Sequence, residues 1–319
     1  MIALFEKKNT DLLIISISLI HTLAMAFLAG VSSVTFLINW AVAGGCAFIL
    51  WDIIEKHRLA SLGRNHSRSI AWALISLMLN FVAVNFPGET HDFRSLSLLV
   101  GFISFLYISI ESWQLKIAPL HYLILGTIVG LLSTYYSFCL YWLLLFPALF
   151  YFMRSWSKHN LASLGFGFFF SIWLRYIIQY LIFGEASADN IILSYLSVIE
   201  HLIPDSFNYN IYEWIFIAIT ALLIIIYSIM GFAVNMTKTV KASATITMLS
   251  LLSLIISIIS IVDISHLTNY IAILALFMSA HMTNLQSYAN DIKIDIFILI
   301  ILLVYAVLAI LPIILPLFL

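Results

Sequence analysis

The sequence predicts an all-α polytopic transmembrane helix bundle of about eleven spans, within ten to twelve, and three observations carry that prediction. Of the 319 residues, 63% are apolar and 9% charged, against roughly 25% charged in an average soluble domain. The mean hydropathy of +1.10 is spread from Leu12 to the C-terminus, so the chain crosses a bilayer repeatedly. The Lys and Arg residues cluster between alternate apolar stretches, as they do in cytoplasmic loops. A single integral membrane domain over residues 1–319 is expected.

Each crossing needs about 20 apolar residues in a helix, because unsatisfied backbone groups are intolerable in hydrocarbon. Lys7 and Lys8 precede the first run, Leu12 to Gly30. No small-residue cleavage site leads from it into a soluble domain, so it reads as an uncleaved first helix. Val34 to Ile54, Ile70 to Phe86 and Ser95 to Glu111 follow, separated by polar or turn-forming residues. The apolar run from Pro119 to Met153 is too long for one span and divides near Thr134 to Tyr136, as two helices joined by a tight outer turn. Leu161 to Phe183, Trp214 to Met236, Ser243 to Val262, Tyr270 to Gln286 and Ile296 to Leu317 complete the set.

With the N-terminus cytoplasmic, Lys7, Lys8, Lys56, Arg58, Arg64, Arg68, Lys116, Arg154, Lys158, Lys238, Lys241 and Lys293 all fall inside. Arg94 is then the one outer basic residue, and Arg175 sits within a span. Glu89, Asp92, Glu185, Asp189, Glu200, Asp205, Glu213 and Asp263 face outward, which makes the outer face acidic. Trp51, Trp113, Trp156 and Trp214 fall at span ends, where interfacial anchors belong. The expected location is the bacterial inner membrane, with an odd span count leaving the C-terminus periplasmic. Cys46 and Cys139 lie inside apolar runs and read as small core residues.

Lys56, His57 and Leu59 to Gly63 recur as Lys158, His159 and Leu161 to Gly165. At the same spacing Ser69 and Ile70 match Ser171 and Ile172, and the outer loops F-P-G-E (Phe86 to Glu89) and F-G-E (Phe183 to Glu185) follow. Segments 56–92 and 158–189 are therefore either parallel repeats, as in some transporters, or a coincidence in a low-diversity sequence. Between Asp189 and Pro204, Asn190, Ser194, Ser197 and His201 fall at helical spacing, which predicts an amphipathic helix on the outer surface, capped by Asp189 or Asn190. Such a helix either shields the bundle or forms a floor for an amphiphilic substrate.

Among the polar residues, Arg175 stands out as a cation at membrane depth, a placement that costs about 2.5 to 3.5 kcal/mol unless a partner or water offsets it. Gln179 is one turn away on the same face and Tyr176 adjoins it, so the group fits a phosphate or carboxylate; a structural ion pair or snorkelling is the alternative. The outer loop bearing Glu89, His91, Asp92 and Arg94 combines a candidate base with candidate phosphate contacts, and Glu185 with Asp189 forms a second acidic pair. The candidate catalytic residues are thus Glu89, Asp92, Glu185 and Asp189, and the candidate substrate contacts Arg94, Arg175, Gln179 and His91. Intramembrane His21, His281 and Asn284 match no metal pattern and read as interhelical hydrogen-bonding groups. Gly126 and Gly130 form a G-x-x-x-G spacing that favours close helix packing. No nucleotide-binding phosphate loop is present, so no cofactor is expected.

On the opening Met1 to Phe5 (M-I-x-L-F), the run Gly130 to Tyr136, and Ser265 to Tyr270 with the last three hydrophobic segments, the chain resembles a family of polytopic Bacteroidota inner-membrane proteins without assigned activity. That resemblance implies an envelope membrane bundle and transfers no site residue. The architecture is also similar to multi-pass glycosyltransferases that use polyprenyl-phosphate-linked sugars, although the acid those enzymes carry in the first external loop is missing from Gly30 to Thr35. The reading that follows is an envelope protein handling lipid-linked glycans. A transporter or lipid flippase and a non-catalytic subunit of an envelope complex are the alternatives. Expected partners are membrane lipids, a polyprenyl-phosphate-linked substrate and other envelope proteins; with a net charge of -1 there is no field to hold nucleic acid.

Overall fold

The computed structural model describes residues 7–28, 33–56, 67–85, 94–115, 117–200, 211–234, 239–262, 267–288 and 292–314. Among these residues all regular structure is helical. In chain order the helices are α1 (Lys7–Leu28), α2 (Ser33–Lys56), α3 (Ser67–Asn85), α4 (Arg94–Glu111) and α5 (Pro119–Tyr135), then a 3₁₀ segment (Ser137–Leu145). They continue with α6 (Phe146–Met153), α7 (Lys158–Phe183), α8 (Glu185–Glu200), α9 (Ile211–Val234), α10 (Val240–Val262), α11 (Leu267–Tyr288) and α12 (Ile292–Ile314). Among the described residues, every apolar run expected to be helical is helical.

By length and composition, four stretches among the described residues can cross a membrane: Asp11–Leu28, Val34–Lys56, Lys158–Phe183 and Val240–Ile261. The apolar stretches found in the other helices are shorter, at 10–17 residues among the residues described. The exposed faces fit lipid better than water: α1 presents Leu12, Ile17, Ile20, Leu23 and Phe27 outward, and α7 presents Phe166, Phe169, Trp173 and Leu181. The chain is thus an all-helical, membrane-associated protein.

Two compact units share the chain. The first holds Met1–Ile103, Asn208–Ser257 and Thr268–Leu319. In it α1, α3 and α12 pack against one another, α2 lies against α1 and α3, and α9 against α12. Helices that are apolar all round must be enclosed: α11 is buried throughout 269–282, and α3 throughout 69–83 apart from Trp72. Phe81 stacks on Phe216 at 3.8 Å between ring centroids, and Phe216 meets Tyr305 edge-on at 5.3 Å. The Trp72 indole donates to the Trp40 carbonyl at 2.8 Å and covers Gly44, where a Cβ would stand 2.6 Å from the ring. His21 and His281 do make interhelical hydrogen bonds, to the Ala306 carbonyl at 3.2 Å and with Ser253 Oγ at 3.1 Å. Cys46 is a free, buried thiol, as is Cys139 in the second unit.

The second unit holds Ser104–Phe207 and Ile258–Leu267. Its spine is the close pair α5 and α7. A Cβ on Gly126 would lie 2.1 Å from the Leu164 carbonyl oxygen, one on Gly130 2.6 Å from that of Phe168, and one on Gly167 2.2 Å from that of Leu123. Backbones meet there because no side chain intervenes, which is the packing the G-x-x-x-G spacing implied. Residue numbers rise together along this contact, so α5 and α7 run parallel. The segment between them must therefore return the full length of α5, consistent with the division expected near Tyr136.

That return is not a single α-helix. Nine residues of 3₁₀ helix rise about 18 Å and the eight of α6 about 12 Å, so 17 residues cover about 30 Å. Pro147 supplies a reason for the change of helix type: it has no N–H for the Leu143 carbonyl, which accepts instead from the Phe146 N–H three residues on. The α7 N-terminus is anchored by Ser157, whose hydroxyl accepts from the Asn160 N–H at 3.1 Å.

Two features of the sequence take a specific form in the fold. The helix predicted from Asp189 onward begins at Glu185, directly after Gly184 at φ 86. Gln179 bonds Ser187, Tyr176 bonds Asp189, and Ser133 bonds Tyr195, so α8 turns at Gly184 and runs back along α7 with Ala188 and Ile191 buried. A positive φ reverses the chain within one residue, and only glycine adopts it without strain. The matched copies also occupy different places: Lys56 ends α2 whereas Lys158 opens α7, and Ser69 is near the start of α3 whereas Ser171 is mid-helix in α7. The remainder of the first copy, at 57–66 and 86–92, lies outside the described residues.

Candidate functional site

At the C-terminal ends of α5 and α7, the second unit holds Arg175, Tyr176 and Gln179 of α7 near Ser133 and Tyr135 of α5 and the start of α8. Arg175 lies here, level with the last turn of α5, and is half-buried rather than enclosed at mid-span. The physical reason is the parallel register: Tyr135 ends α5 forty residues before Arg175, on the same spacing that sets Thr127 beside Gly167. Arg175 donates from a terminal nitrogen to the Tyr135 hydroxyl, and its guanidinium carbon lies 4.1 Å from the centre of that ring. A guanidinium over a tyrosine face is held by the ring quadrupole and by donation together. Among the described residues no carboxylate pairs with it, and its Nε has no acceptor.

Around this cation the neighbouring groups are already ordered. The Tyr176 hydroxyl donates to Asp189 Oδ1 at 3.2 Å, and Gln179 Nε2 donates to Ser187 Oγ at 2.7 Å. Ser133 donates to the Gly130 carbonyl at 2.9 Å, so in its 3.2 Å contact with Tyr195 the phenol is the donor. Burial pushes the Tyr195 phenol above its ordinary range and keeps that proton in place. Glu185 and Asp189, four residues apart on α8, share one helix face and are both exposed.

Of the candidate residues, the fold sets Gln179 of α7 beside the start of α8, which carries Glu185 and Asp189, while Arg175 faces Tyr135 of α5. Glu89, His91 and Asp92 lie outside the described residues, and so does the side chain of Arg94, which opens α4. Gln179 faces α8 rather than sharing a ligand set with Arg175. The sequence reading missed Tyr135, Ser187 and Tyr195. Of these only Tyr135 had a usable local signal, as an aromatic at the end of a span.

Chemically, this end of the second unit offers a cation whose Nε is unused among the described residues and, on α8, two exposed carboxylates, Glu185 and Asp189. Such a set can hold an anionic oxygen group and accept a proton from a hydroxyl next to it. The chain matches no family model, and no curated protein or solved structure matches it.

Proposed function

We propose that the chain is a multi-pass inner-membrane protein of about eleven spans that handles a lipid-linked glycan at the α5–α7–α8 end of its second unit. In this reading that end faces the periplasm, the N-terminus is cytoplasmic, and Arg175 takes the phosphate of the lipid carrier. Asp189 and Glu185 contact the sugar or act as base. The observation that carries the reading is the Arg175 guanidinium, fixed on Tyr135 with no carboxylate partner among the described residues. A cation placed beside apolar, lipid-facing side chains such as Trp173 and Ile178 suits an anionic head group on an apolar tail. The polar groups buried inside the first unit favour a transporter or flippase as the second reading.

Native mass spectrometry of the gently purified protein tests this directly. The expected result is a retained polyprenyl-phosphate or glycolipid whose occupancy falls at least about tenfold in Arg175→Ala, the loss of one charge-assisted contact. Asp189→Asn and Glu185→Gln should keep the lipid and lose any transfer activity. Recovery of bulk phospholipid alone, or equal retention by Arg175→Ala, would overturn the proposal.

A further inference from the structure

The opposite end of the α5–α7 pair carries a surface of its own, where the chain leaves α4 and where it passes from α6 into α7. Its two segments are knit together from beneath. The Gln114 N–H donates to the Met153 carbonyl at 2.9 Å, Asn160 spans from the Ala118 N–H to the Ser155 carbonyl, and the Tyr122 hydroxyl bonds that of Ser155. On this base the Arg154 guanidinium carbon lies 5.9 Å from the centre of a Trp113 ring. Arg154, Lys158 and His159 are exposed. Among the described residues neither Arg154 nor Lys158 has an ion-pair partner. Residues 151–161 contain no carboxylate, and Glu111, at the end of α4, has its Oε1 buried. The surface is therefore positive, and it is also apolar: Ile117, Leu120, Tyr151 and Trp156 are exposed around it.

The backbone at Arg154 singles that residue out. It closes α6 in the left-handed conformation, at φ 52 and ψ 38. Helices commonly end on a residue of this conformation, and glycine is the usual occupant because it has no Cβ to strain. An arginine forgoes that advantage, and its side chain makes no ion pair that would offset the loss. A strained residue kept in place points to a use for its side chain.

The length of α7 sets the depth of this surface. Lys158 and Arg175 are about 25 Å apart along the helix axis, close to the roughly 30 Å of a hydrocarbon core. With Arg175 near one interface, Arg154 and Lys158 lie at the other. Cations and an interfacial tryptophan beside exposed apolar side chains complement an amphiphile with an anionic head.

We propose that this end of the second unit docks on anionic phospholipid head groups of the leaflet it faces, the cytoplasmic one in the orientation proposed above. Arg154, steadied on Trp113, and Lys158 meet the phosphates, while Trp156 and Ile117 enter the apolar layer beneath them. The inference rests on α7 crossing the membrane and not on what Arg175 holds.

The test is native mass spectrometry of the full-length protein in neutral detergent, titrated with phosphatidylglycerol or with phosphatidylcholine of the same acyl chains. Phosphatidylglycerol is expected to bind about 30-fold more tightly, about fivefold for each of the two cations. Arg154→Gly and Arg154→Gln should each lose about fivefold of that preference, whereas Arg154→Lys, and Arg175→Ala at the far end of α7, should keep it. Thermal midpoints separate docking from folding: Arg154→Gly relieves the left-handed backbone, so it should unfold no lower than the unmodified protein while its binding weakens. Equal affinity for the two lipids would overturn the inference, and so would an unchanged preference in both Arg154→Gly and Arg154→Gln. A midpoint of Arg154→Gly that falls in step with its affinity would make the side chain structural and do the same. Displacement of the lipid by an equal concentration of soluble glycerol phosphate would assign the surface to a free phosphate and likewise overturn it.

Discussion

Gly167→Ala is expected to destabilise the second unit by about 3 kcal/mol or more, at the upper end of what overpacking a tight contact costs. The new Cβ would stand 2.2 Å from the Leu123 carbonyl oxygen and 3.0 Å from the Thr127 nitrogen, both backbone atoms of α5. No rotamer change relieves a clash with backbone, so α5 and α7 must separate and lose contact along their whole seam. Two residues away, a Cβ on Gly165 meets nothing within 4 Å. Gly165→Ala should therefore be neutral or stabilising by up to about 1 kcal/mol, the helix-propensity difference alone. Thermal midpoints of the two variants in one detergent provide the comparison. Equal effects would show that α5 and α7 do not approach as closely as described.

The second large effect is expected at Asn160. Its Oδ1 accepts from the Ala118 N–H at 2.8 Å, just before α5, and its Nδ2 donates to the Ser155 carbonyl at 2.6 Å, just before α7. One fully buried side chain thus ties together the starts of the two parallel helices. Asn160→Ala strands an N–H and a C=O in an interior where neither can reach water, a loss of about 2 to 4 kcal/mol. Asn160→Asp keeps the acceptor, loses the donor and buries a charge, so it should be at least as harmful. Differential scanning fluorimetry should place both below Ser157→Ala, which removes one N-cap contact worth about 1 kcal/mol. If Asn160→Ala fell no further than Ser157→Ala, the tie would not be structural.

The positions of the helices were legible along the chain, because a helix satisfies its backbone within four residues and its apolar run is a local property. The break at Tyr136 and the G-x-x-x-G contact at Gly126 and Gly130 were legible for the same reason. The reversal at Gly184 was not. Asp189 and Asn190 are good N-cap residues, yet the helix starts earlier because Ser187 and Asp189 find partners on α7 at Gln179 and Tyr176. Tertiary bonds outweighed the local cap. Arg175 could be singled out as a cation in an apolar run, but its partner could not, since Tyr135 is forty residues away and is brought near by the register of the glycine seam.

By itself, then, the sequence determined the membrane class, the placing of the helices and the close-packing glycines. All of these follow from the transfer energetics and hydrogen bonding of contiguous residues. Only the tertiary structure decided that α7 is the helix the α5 glycines meet, that α8 folds back along α7, and that Arg175 rests on Tyr135. Each of these depends on which surfaces meet across long stretches of chain. Among near-uniform apolar helices that choice turns on where a missing Cβ or a single polar atom lets two backbones come together.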